Sequence, residues 1–489
     1  MNAAIDAAPN RAAAPGSRTP APAGLGAGRE WRRAAVYGLG LSGAAAARLL
    51  RRHGVAVVGL DARPTAALDL GELATDPRID LATGAEPERL PAGVDALVLS
   101  PGVPPDRPLV ADARRRGVPV VAEVELAFPL LAGPVAAITG SNGKSTTTAL
   151  TGAILRAAGI PAEVCGNIGK PVAAVVEGAP GRAFVVELSS FQLEAVDTFH
   201  PRAAALLNLA PDHLDRYRGL DDYLAAKRRI FARQNAGDVA VLNADDPASS
   251  ASPTAARRRL FSRRAAVADG CFVRAGRVIE AAPGEGEREL FARADLPLAG
   301  EHNLENAMAA ALLARALGAA PEAVRAGVSG FAGLPHRMQL VAERGGVAWY
   351  DDAKGTNAAA TARSLEGLPG GRVHLILGGR AKGEDPSSLH NAVAAKARRV
   401  YLIGEAAADL ARGLAGTVPL ERAGTLERAV AAAFERAEPG DVVLLSPACA
   451  SFDQFRDYAH RGEEFRRLVA ATLDPARAAG GPDGQEEGD

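Results

Sequence analysis

Short apolar runs alternate with helical stretches along most of the chain. The run AAVYG at 34–38 is followed by the helical stretch AAAARLLRRHG, which Gly54 closes, and then by the apolar run VAVVGLD, which ends at Asp61. Strands buried in parallel sheets read as nearly continuous apolar runs, and helices connect them. The pattern therefore predicts an α/β fold with parallel sheets.

The length of the chain predicts three domains. A chain of 489 residues is too long for one ordinary core, since domains average roughly 100–200 residues. We expect a Rossmann-like first domain over 31–130, a central domain with a parallel sheet and a small β insertion over 131–335, and a Rossmann-like C-terminal domain over 336–474. The composition of residues 1–30 and 475–489 predicts disordered tails.

Composition argues against several classes of partner. The 56 basic and 57 acidic residues leave a formal net charge of −1, so no global basic field attracts nucleic acid or an anionic membrane. No run of 18 apolar residues occurs, and the N-terminal segment lacks the apolar core of a signal peptide. The three cysteines are widely spaced and form no disulfide framework. We expect a cytoplasmic monomer.

The first glycine-rich turn, GLGLSG, follows the first predicted strand. Gly38, Gly40 and Gly43 match the dinucleotide fingerprint, and Asp61 stands about 20 residues further on. Glycines at such a turn let the backbone approach a pyrophosphate at a helix N-terminus. Taken alone, the turn leaves a nicotinamide-dependent dehydrogenase open.

A second turn, GSNGKST, carries a stronger phosphate signal. Its Gly-Lys-Ser-Thr core stands between a predicted strand and helix, although Ile138 occupies a position where a strict Walker A motif has glycine. In such a loop, backbone N–H groups surround the phosphates, Lys144 meets the β/γ charge and Ser145 can ligate Mg²⁺. The chain has only six lysines, which suggests that lysine persists where arginine cannot replace it.

Polar residues at later strand ends extend the candidate site. Glu187 ends the run FVVE, a loop carries Asp212, His213 and Asp215, and Lys227 lies on a helix for which Asp221 is the expected cap. In the third domain, the segments WYDDAKGTN, LILGGRAKG and VVLLSPACASFDQF each place polar groups after a strand. Because ligands bind at the carboxyl edge of parallel sheets, these ends predict a substrate site.

The chain resembles the Mur ligases over about residues 34–472. The resemblance rests on TGSNGKST, ELSSFQLE, DHLDRY, AAKRRI, GEHNLENA, LPHRMQ, DDAKGTN and SPACASFDQF, in family order, of which the last two resemble the D-glutamate-adding enzymes. It implies a UDP-binding domain, a central P-loop-type ATPase domain and a C-terminal amino-acid domain. It also implies that GLGLSG holds the uridine diphosphate of the substrate.

The resemblance implies roles for residues matching the family motifs. The catalytic set is Lys144, Glu187, His213 and Lys227. The metal set is Ser145, Glu187, His213 and Lys227, the lysine carrying CO₂ as a carbamate. The ATP set is Gly140, Ser141, Asn142, Gly143, Lys144, Ser145, Thr146, Asn167, Asn303, Asn306, Arg337 and Asp352. The set near the UDP group is Leu41, Ser42, Asp61, Arg63 and Ser100. The D-glutamate set is Thr356, Lys382, Ser451, Phe452 and Tyr458. The chain departs from the family at Ala353, Arg380 and Tyr458, where serine, an acid and phenylalanine are usual.

The implied reaction uses ATP, two Mg²⁺ ions, UDP-N-acetylmuramoyl-L-alanine and D-glutamate. The alanine carboxylate attacks the γ-phosphate to give an acyl phosphate, which the amine of D-glutamate then attacks. A sister ligase, such as another Mur enzyme or a folylpolyglutamate synthetase, is the nearest alternative. A dehydrogenase leaves GSNGKST unexplained, and the set of Lys144, Glu187, His213 and Lys227 argues against a catalytically silent nucleotide-binding module.

Overall fold

The computed structural model describes residues 31–177, 181–210, 216–298, 300–381 and 385–474. These residues form three sheets with flanking helices, which confirms the predicted α/β class. They group into two compact units. One unit contains residues 31–131, Pro171–Glu177 and Ala195–Thr198, and the other contains the remaining described residues. The predicted tails lie outside the described residues, and the predicted domain boundaries stay a prediction.

The first unit is built on a parallel sheet. Its elements are β1 (Arg33–Tyr37), α1 (Leu41–Arg52), β2 (Ala56–Asp61), β3 (Ile79–Thr83), β4 (Ala96–Leu99), α2 (Pro108–Arg115), β5 (Val120–Ala122) and α3 (Glu123–Ala127). The strand order is β3-β2-β1-β4-β5, and every pairing is parallel. The order reverses direction at β1, so the turn after β1 lies at the switch point where such sheets bind ligands.

The second unit contains the central sheet. Its elements are β6 (Val135–Thr139), α4 (Lys144–Ala157), β7 (Ala162–Gly166), β8 (Ala183–Glu187), α5 (Ser190–Leu193), β9 (Ala203–Leu206), α6 (Leu220–Arg228), β10 (Val239–Asn243), α7 (Pro247–Ser250), β11 (Arg257–Ser262), β12 (Gly270–Arg274), β13 (Arg277–Ala282), β14 (Gly286–Ala292), α8 (Glu301–Ala316) and α9 (Pro321–Ser329). The strand order is β14-β13-β12-β11-β10-β9-β6-β8-β7. Pairing is parallel from β7 to β12 and antiparallel in β12-β13 and β13-β14. The predicted β insertion is therefore continuous with the central sheet.

Helices α4, α8 and α9 pack together against the central sheet. Leu150, Ile154 and Leu312 are fully buried in their shared core. A Cβ atom on Gly327 would lie 2.5 Å from the Cα atom of Ile154, so only glycine lets α9 approach α4 this closely. Because α4 follows the GSNGKST turn, this packing fixes the turn relative to the sheet.

The second unit also contains the C-terminal sheet. Its elements are β15 (Gln339–Arg344), β16 (Val347–Asp351), α10 (Ala358–Glu366), β17 (Val373–Gly378), α11 (His390–Lys396), β18 (Ala397–Ile403), α12 (Ala407–Gly413), β19 (Leu420–Gly424), α13 (Leu426–Arg436), β20 (Val442–Leu445) and α14 (Tyr458–Leu473). The strand order is β15-β16-β20-β17-β18-β19, antiparallel in β15-β16 and parallel elsewhere. Within the described ranges, no helix combines the length and apolar character needed to cross a membrane.

Glu123 is a buried acid at the start of α3 in the first unit. Its side chain accepts a hydrogen bond from the backbone N–H of Ala173, and its Oε2 atom has no partner among the described residues. Burial raises its pKa from the usual 4.5 to about 7, although the Ala173 hydrogen bond favours the charged form. The folded protein therefore binds this proton more tightly than the unfolded chain does. The contribution of Glu123 to stability is fullest below pH 4.5 and falls as the pH rises towards 7.

We predict that Glu123→Gln removes this pH dependence, because glutamine keeps the acceptor and cannot ionise. The pKa difference corresponds to at most roughly 3 kcal/mol of unfolding free energy at pH 8 relative to pH 5. The measurement is urea unfolding in a Trp349→Phe background, where Trp31 alone reports on the first unit. The control is exposed Glu88→Gln. The prediction is refuted if the free energy of unfolding changes by the same amount between pH 5 and 8 in Glu123→Gln and in its parent.

Candidate functional site

The GSNGKST turn joins β6 to α4. All five residues of β6 are buried, and α4 begins at Lys144 after Gly143, whose φ of 84° is left-handed. A Cβ atom on Gly143 would lie 2.1 Å from Oδ1 of Asn306 on α8, so the position requires glycine for conformation and for space. No acidic residue stands in the first turn of α4, and its N-terminus presents N–H groups suited to an anion.

Two lysine side chains meet at one carbonyl oxygen of this turn. The Nζ atoms of Lys144 and Lys227 each donate to the carbonyl of Gly140 over 2.8 Å. Lys144 also donates to the carbonyl of Ser141 over 2.8 Å. Lys227 is 1% exposed, and its Nζ lies 4.3 Å from the centre of the Tyr223 ring. Two cations and a helix N-terminus therefore concentrate positive potential at the loop.

Lys227 is placed by α6. The helix begins after Gly219, and no side-chain hydrogen bond caps it among the described residues. Asp221 lies in the first turn, so the expectation that Asp221 caps this helix is wrong. From that position, the negative charge of Asp221 still interacts favourably with the positive end of the helix dipole.

Glu187 offers a carboxylate oxygen beside this loop. It is the last residue of β8, which neighbours β6, and it is 2% exposed. Nδ2 of Asn167 donates to its Oε1 over 3.0 Å, while its Oε2 has no hydrogen-bond partner in the described part of the chain. A buried carboxylate oxygen without a partner is suited to a cation. The loop with His213 lies outside the described residues, so the structure does not place this predicted ligand.

Polar groups on α8 form the next part of the site. Nδ2 of Asn306 donates to Oδ1 of Asn303 over 3.2 Å, and Thr147 on α4 donates to Oδ1 of Asn306 over 3.4 Å. His302 precedes them. Burial and the nearby Arg363, then other arginines, lower its pKa to about 4, so its imidazole is neutral at pH 7. The predicted ATP residues on α4 and α8 are thus brought together.

Residues 330–338 connect α9 to the C-terminal sheet and bring Arg337 to the loop. Its Nη2 donates to Oγ of Ser145 over 2.8 Å. Asp352, just after β16, accepts hydrogen bonds of 2.7 Å from both Ser364 and Ser446. Burial raises the pKa of Asp352 to about 6, against the opposing effect of these bonds. A cavity of about 100 Å³ is lined by Asn142, Gly143, Thr146, Leu298, His302, Asn303, Asn306, Gly333, Leu334, Arg337, Met338, Asp352, Lys354, Gly355, Ala360, Arg363 and Ser364.

This cavity is too small for a whole nucleotide, since small-molecule sites span roughly 300–1,000 Å³. A second cavity of about 410 Å³ shares His302 and Arg363 with it and is lined by charged groups that include Asp245, Glu301 and Arg263. The smaller cavity alone can therefore hold only part of a nucleotide.

The predicted D-glutamate residues follow strands of the C-terminal sheet. Thr356 stands between β16 and α10, Ser451 follows β20 and is buried, and Phe452 is 63% exposed. Tyr458 opens α14, and Nζ of Lys354 lies 3.8 Å from the centre of its ring. Lys382 lies outside the described residues, and Arg380 pairs with Glu405 at the surface.

The predicted UDP residues cluster at the switch point of the first unit. Asp61 is 4% exposed and accepts a 2.7 Å hydrogen bond from the backbone of Leu39, while Arg63 binds both of its oxygens. Burial opposes ionisation of Asp61, but these bonds hold its pKa below the usual value. Leu41, at the start of α1, is 77% exposed. Ser42 is the next residue of α1, and the N–H of Ser100 donates to the carbonyl of Tyr37 at the end of β1.

Comparison with known families matches all three parts of the chain. The matching descriptions are "Mur ligase MurD-like, N-terminal domain" at 32–122, "Mur ligase middle domain" at 138–314 and "Mur ligase, glutamate ligase domain" at 336–449. The chain is 45% identical over 442 residues to the UDP-N-acetylmuramoylalanine--D-glutamate ligase of Acidobacterium capsulatum, covering 89% of this chain and 95% of that protein.

The chain belongs to the Mur ligase family. The corresponding ligase of Anaeromyxobacter dehalogenans is 46% identical over 449 residues, covering 89% of this chain and 97% of that one. Among solved structures, the UDP-N-acetylmuramate-alanine ligase MurC of Thermotoga maritima is similar with a TM-score of 0.58 at 17% identity, covering 90% of this chain and 100% of that chain. At that identity, the likeness shows the fold alone. Membership in a ligase family decides against the dehydrogenase alternative.

Three features of this site were not predicted from the sequence: the positions of Tyr223 and Arg461, and the hydrogen bond between Arg337 and Ser145. Tyr223 packs on Lys227, and Arg461 is fully buried beside the C-terminal loops. The resemblance suggested Arg337 for the nucleotide's ribose and phosphates but not for its hydrogen bond to Ser145. Tyr223 and Lys227 stand four residues apart on α6, so helical spacing was the signal that could have shown their contact. The contacts of Arg337 and Arg461 join residues far apart in the chain and leave no local pattern.

We predict that Gly143→Ala weakens ATP binding by on the order of tenfold or more, because the new Cβ meets Asn306 and the residue must keep a left-handed φ. The matched control is Gly159→Ala just after α4, where φ is 71° and no atom lies within 4 Å of the new Cβ. That variant should lose only about 1–2 kcal/mol of stability, the cost of the left-handed conformation for a residue with a Cβ atom. Calorimetric titration with ATP measures both, and equal affinity in the two variants would contradict the site geometry.

Proposed function

We propose that this Mur ligase joins D-glutamate to the alanine carboxylate of UDP-N-acetylmuramoyl-L-alanine in peptidoglycan precursor synthesis, at the expense of ATP. The observation that carries the proposal is the 45% identity over 442 residues with a ligase of that name. Action in the cytoplasm as a monomer is part of the proposal. A sister ligase is the second candidate, and it is favoured only by fold similarity at 17% identity.

The proposed reaction has two steps. In the first, a carboxylate oxygen of the alanine forms a bond to the γ-phosphorus, and the bond from that phosphorus to the β–γ bridging oxygen breaks to release ADP. In the second, the amine of D-glutamate attacks the acyl carbon and loses a proton, and inorganic phosphate leaves with the former carboxylate oxygen. In both steps, protein groups would position the reactants and offset the charge that develops.

Lys144 and the N-terminus of α4 are suited to the phosphates. The Lys144 ammonium stands in the loop next to the first N–H groups of the helix, so both face an anion that enters there. Preorganised donors of this kind stabilise charge that develops on a transferring phosphoryl group. Asn142, Ser141 and Thr146 would line the same phosphate site, while Asn167 and Asn306 would lie on the adenine side.

The described residues fit a magnesium ion. Among the described residues, the carboxylate oxygen Oε2 of Glu187 is buried without a partner, and the hydroxyl oxygen of Ser145, which here accepts a hydrogen bond from Arg337, would be the second protein oxygen. Magnesium binds few protein oxygens and keeps water and phosphate as its other ligands. When bound, the ion would offset charge on the γ-phosphate.

Carbamylation of Lys227 belongs to this proposal. The Lys227 and Lys144 ammonium groups share the carbonyl of Gly140 in a buried place, where two like charges repel strongly. Loss of a proton from the Lys227 ammonium, addition of CO₂ to the neutral amine and release of a second proton would give an anionic carbamate and remove that repulsion. The carbamate would also supply an oxygen ligand, and together with His213 it would hold the second proposed magnesium ion, which would offset phosphate charge.

We predict that phosphate release requires ATP, Mg²⁺, UDP-N-acetylmuramoyl-L-alanine and D-glutamate together. The assay measures phosphate and identifies the amide product by mass for D-glutamate, L-glutamate, L-alanine and diaminopimelate. Equal or greater turnover with any of the other three amino acids would reject D-glutamate as the substrate and favour a sister ligase.

We predict that Lys227→Ala is nearly inactive and is partly rescued by short carboxylic acids, which can occupy the vacated space. Lys227→Arg should be inactive and beyond rescue, because a guanidinium cannot carry CO₂. Labelled ¹³CO₂ should give a carbamate NMR signal in the wild type that is lost in Lys227→Arg and kept in the control, Lys170→Arg, at an exposed lysine. Full activity of Lys227→Arg would reduce the role of Lys227 to that of a charge.

A further inference from the structure

Arg461 is a buried cation in the first turn of α14. Its side chain is 0% exposed, and no ion pair involves it among the described residues. Burial lowers its pKa to about 10, so it keeps its charge at pH 7. A buried charge must be compensated by partners with good geometry. Its hydrogen-bond partners are backbone carbonyls, and the nearby acids Asp453 and Asp351 also favour its charge.

The guanidinium binds backbone carbonyls of three separate segments. Nη2 donates to the carbonyls of Ala353 over 3.1 Å and Cys449 over 3.0 Å. Nη1 donates to the carbonyls of Gly378 and Ala450, each over 3.3 Å. These acceptors follow β16, end β17 and follow β20, which are neighbouring strands of the C-terminal sheet. One side chain therefore fixes the spacing of three loops at one sheet edge.

Two glycines, Gly379 and Gly462, let the backbone pack closely around the guanidinium and the first turn of α14. A Cβ atom on Gly379 would lie 3.0 Å from Nη1 of Arg461 and 2.1 Å from the carbonyl oxygen of Ala450. A Cβ atom on Gly462 would lie 2.1 Å from Nδ1 of His336, which contacts Oδ2 of Asp351 over 2.7 Å. The first turn of α14 thus packs against the loops without room for adjustment.

The loops that Arg461 joins are the ones that carry the described D-glutamate candidates. Ser451 and Phe452 directly follow the Ala450 acceptor, and Thr356 follows the Ala353 acceptor by three residues. Tyr458 lies one helical turn before Arg461 on the same face of α14. By contrast, the phosphate loop and Lys227 belong to the central sheet, and none of the four hydrogen bonds of Arg461 among the described residues reaches them.

We infer that Arg461 is a positioning residue for the amino-acid substrate: by holding four carbonyls of three loops, it sets the geometry of the D-glutamate site and not that of acyl-phosphate formation. The inference rests on the proposed function. Arginine is required because its planar group presents several donors in fixed directions, whereas a lysine ammonium cannot span all four acceptors.

The test separates the two half-reactions in the full-length protein. Acyl phosphate is trapped by borohydride reduction in the absence of amino acid, and amide formation is measured against D-glutamate concentration. Arg461→Lys should form acyl phosphate at close to the wild-type rate, while its KM for D-glutamate rises on the order of tenfold or more, as expected for misplaced binding groups. Added guanidinium should partly restore the KM of Arg461→Ala. The control is Arg467→Lys on the same helix, whose exposed side chain pairs with Glu464.

The outcomes are distinguishable. If Arg461→Lys slows acyl-phosphate formation and amide formation by the same factor, or fails to fold, Arg461 is a general structural residue and the inference is overturned. An unchanged KM for D-glutamate would overturn it as well. If the wild-type protein forms acyl phosphate but no amide with D-glutamate, the proposed function fails, and this result is visible without any variant.

Discussion

The structure of the phosphate loop depends on the carbonyl oxygen of Gly140, because two lysine ammonium groups bind it at the same distance of 2.8 Å. Like charges so close together in a buried place are unfavourable unless an anion accompanies them. The surroundings are built to receive one: α4 directs its N-terminus at the loop, and Gly143 fits only as glycine beside Asn306. The charge of a polyphosphate would complete the arrangement around Lys144, and the carbamate proposed for Lys227 would remove the repulsion between the two side chains.

The C-terminal sheet compensates a buried charge by different means. Arg461 relies on four carbonyls, and Asp352 relies on the hydroxyl groups of Ser364 and Ser446. Neutral donors and acceptors satisfy a buried charge without neutralising it, so the loops that supply them are held in place. The phosphate loop, in contrast, presents cations to a ligand. This difference is consistent with the proposed roles, in which the loop before α4 binds phosphate and the loops bound by Arg461 bind the amino acid.

Much of the fold was predictable from the sequence because strands and motifs are local. The apolar runs before Gly38 and Gly140 became β1 and β6, the run that ends at Glu187 became β8, and the helix after GSNGKST begins at Lys144. Other features were not predictable. The continuity of β10–β14 with the central sheet depends on strand pairing, and the Gly143–Asn306 and Arg461 contacts join residues far apart in sequence. The cap assigned to Asp221 was wrong because α6 already begins after Gly219, and the roles of His213 and Lys382 stay predictions.

In the proposed reaction, ATP cleavage activates a carboxylate as an acyl phosphate. This activation can be tested most directly by labelling both carboxylate oxygens of the alanine in UDP-N-acetylmuramoyl-L-alanine with ¹⁸O and by analysing the phosphate released during one turnover with D-glutamate. The account predicts that each phosphate carries one ¹⁸O atom and that the amide carbonyl keeps the other. Phosphate without ¹⁸O, formed together with the amide product, would contradict it.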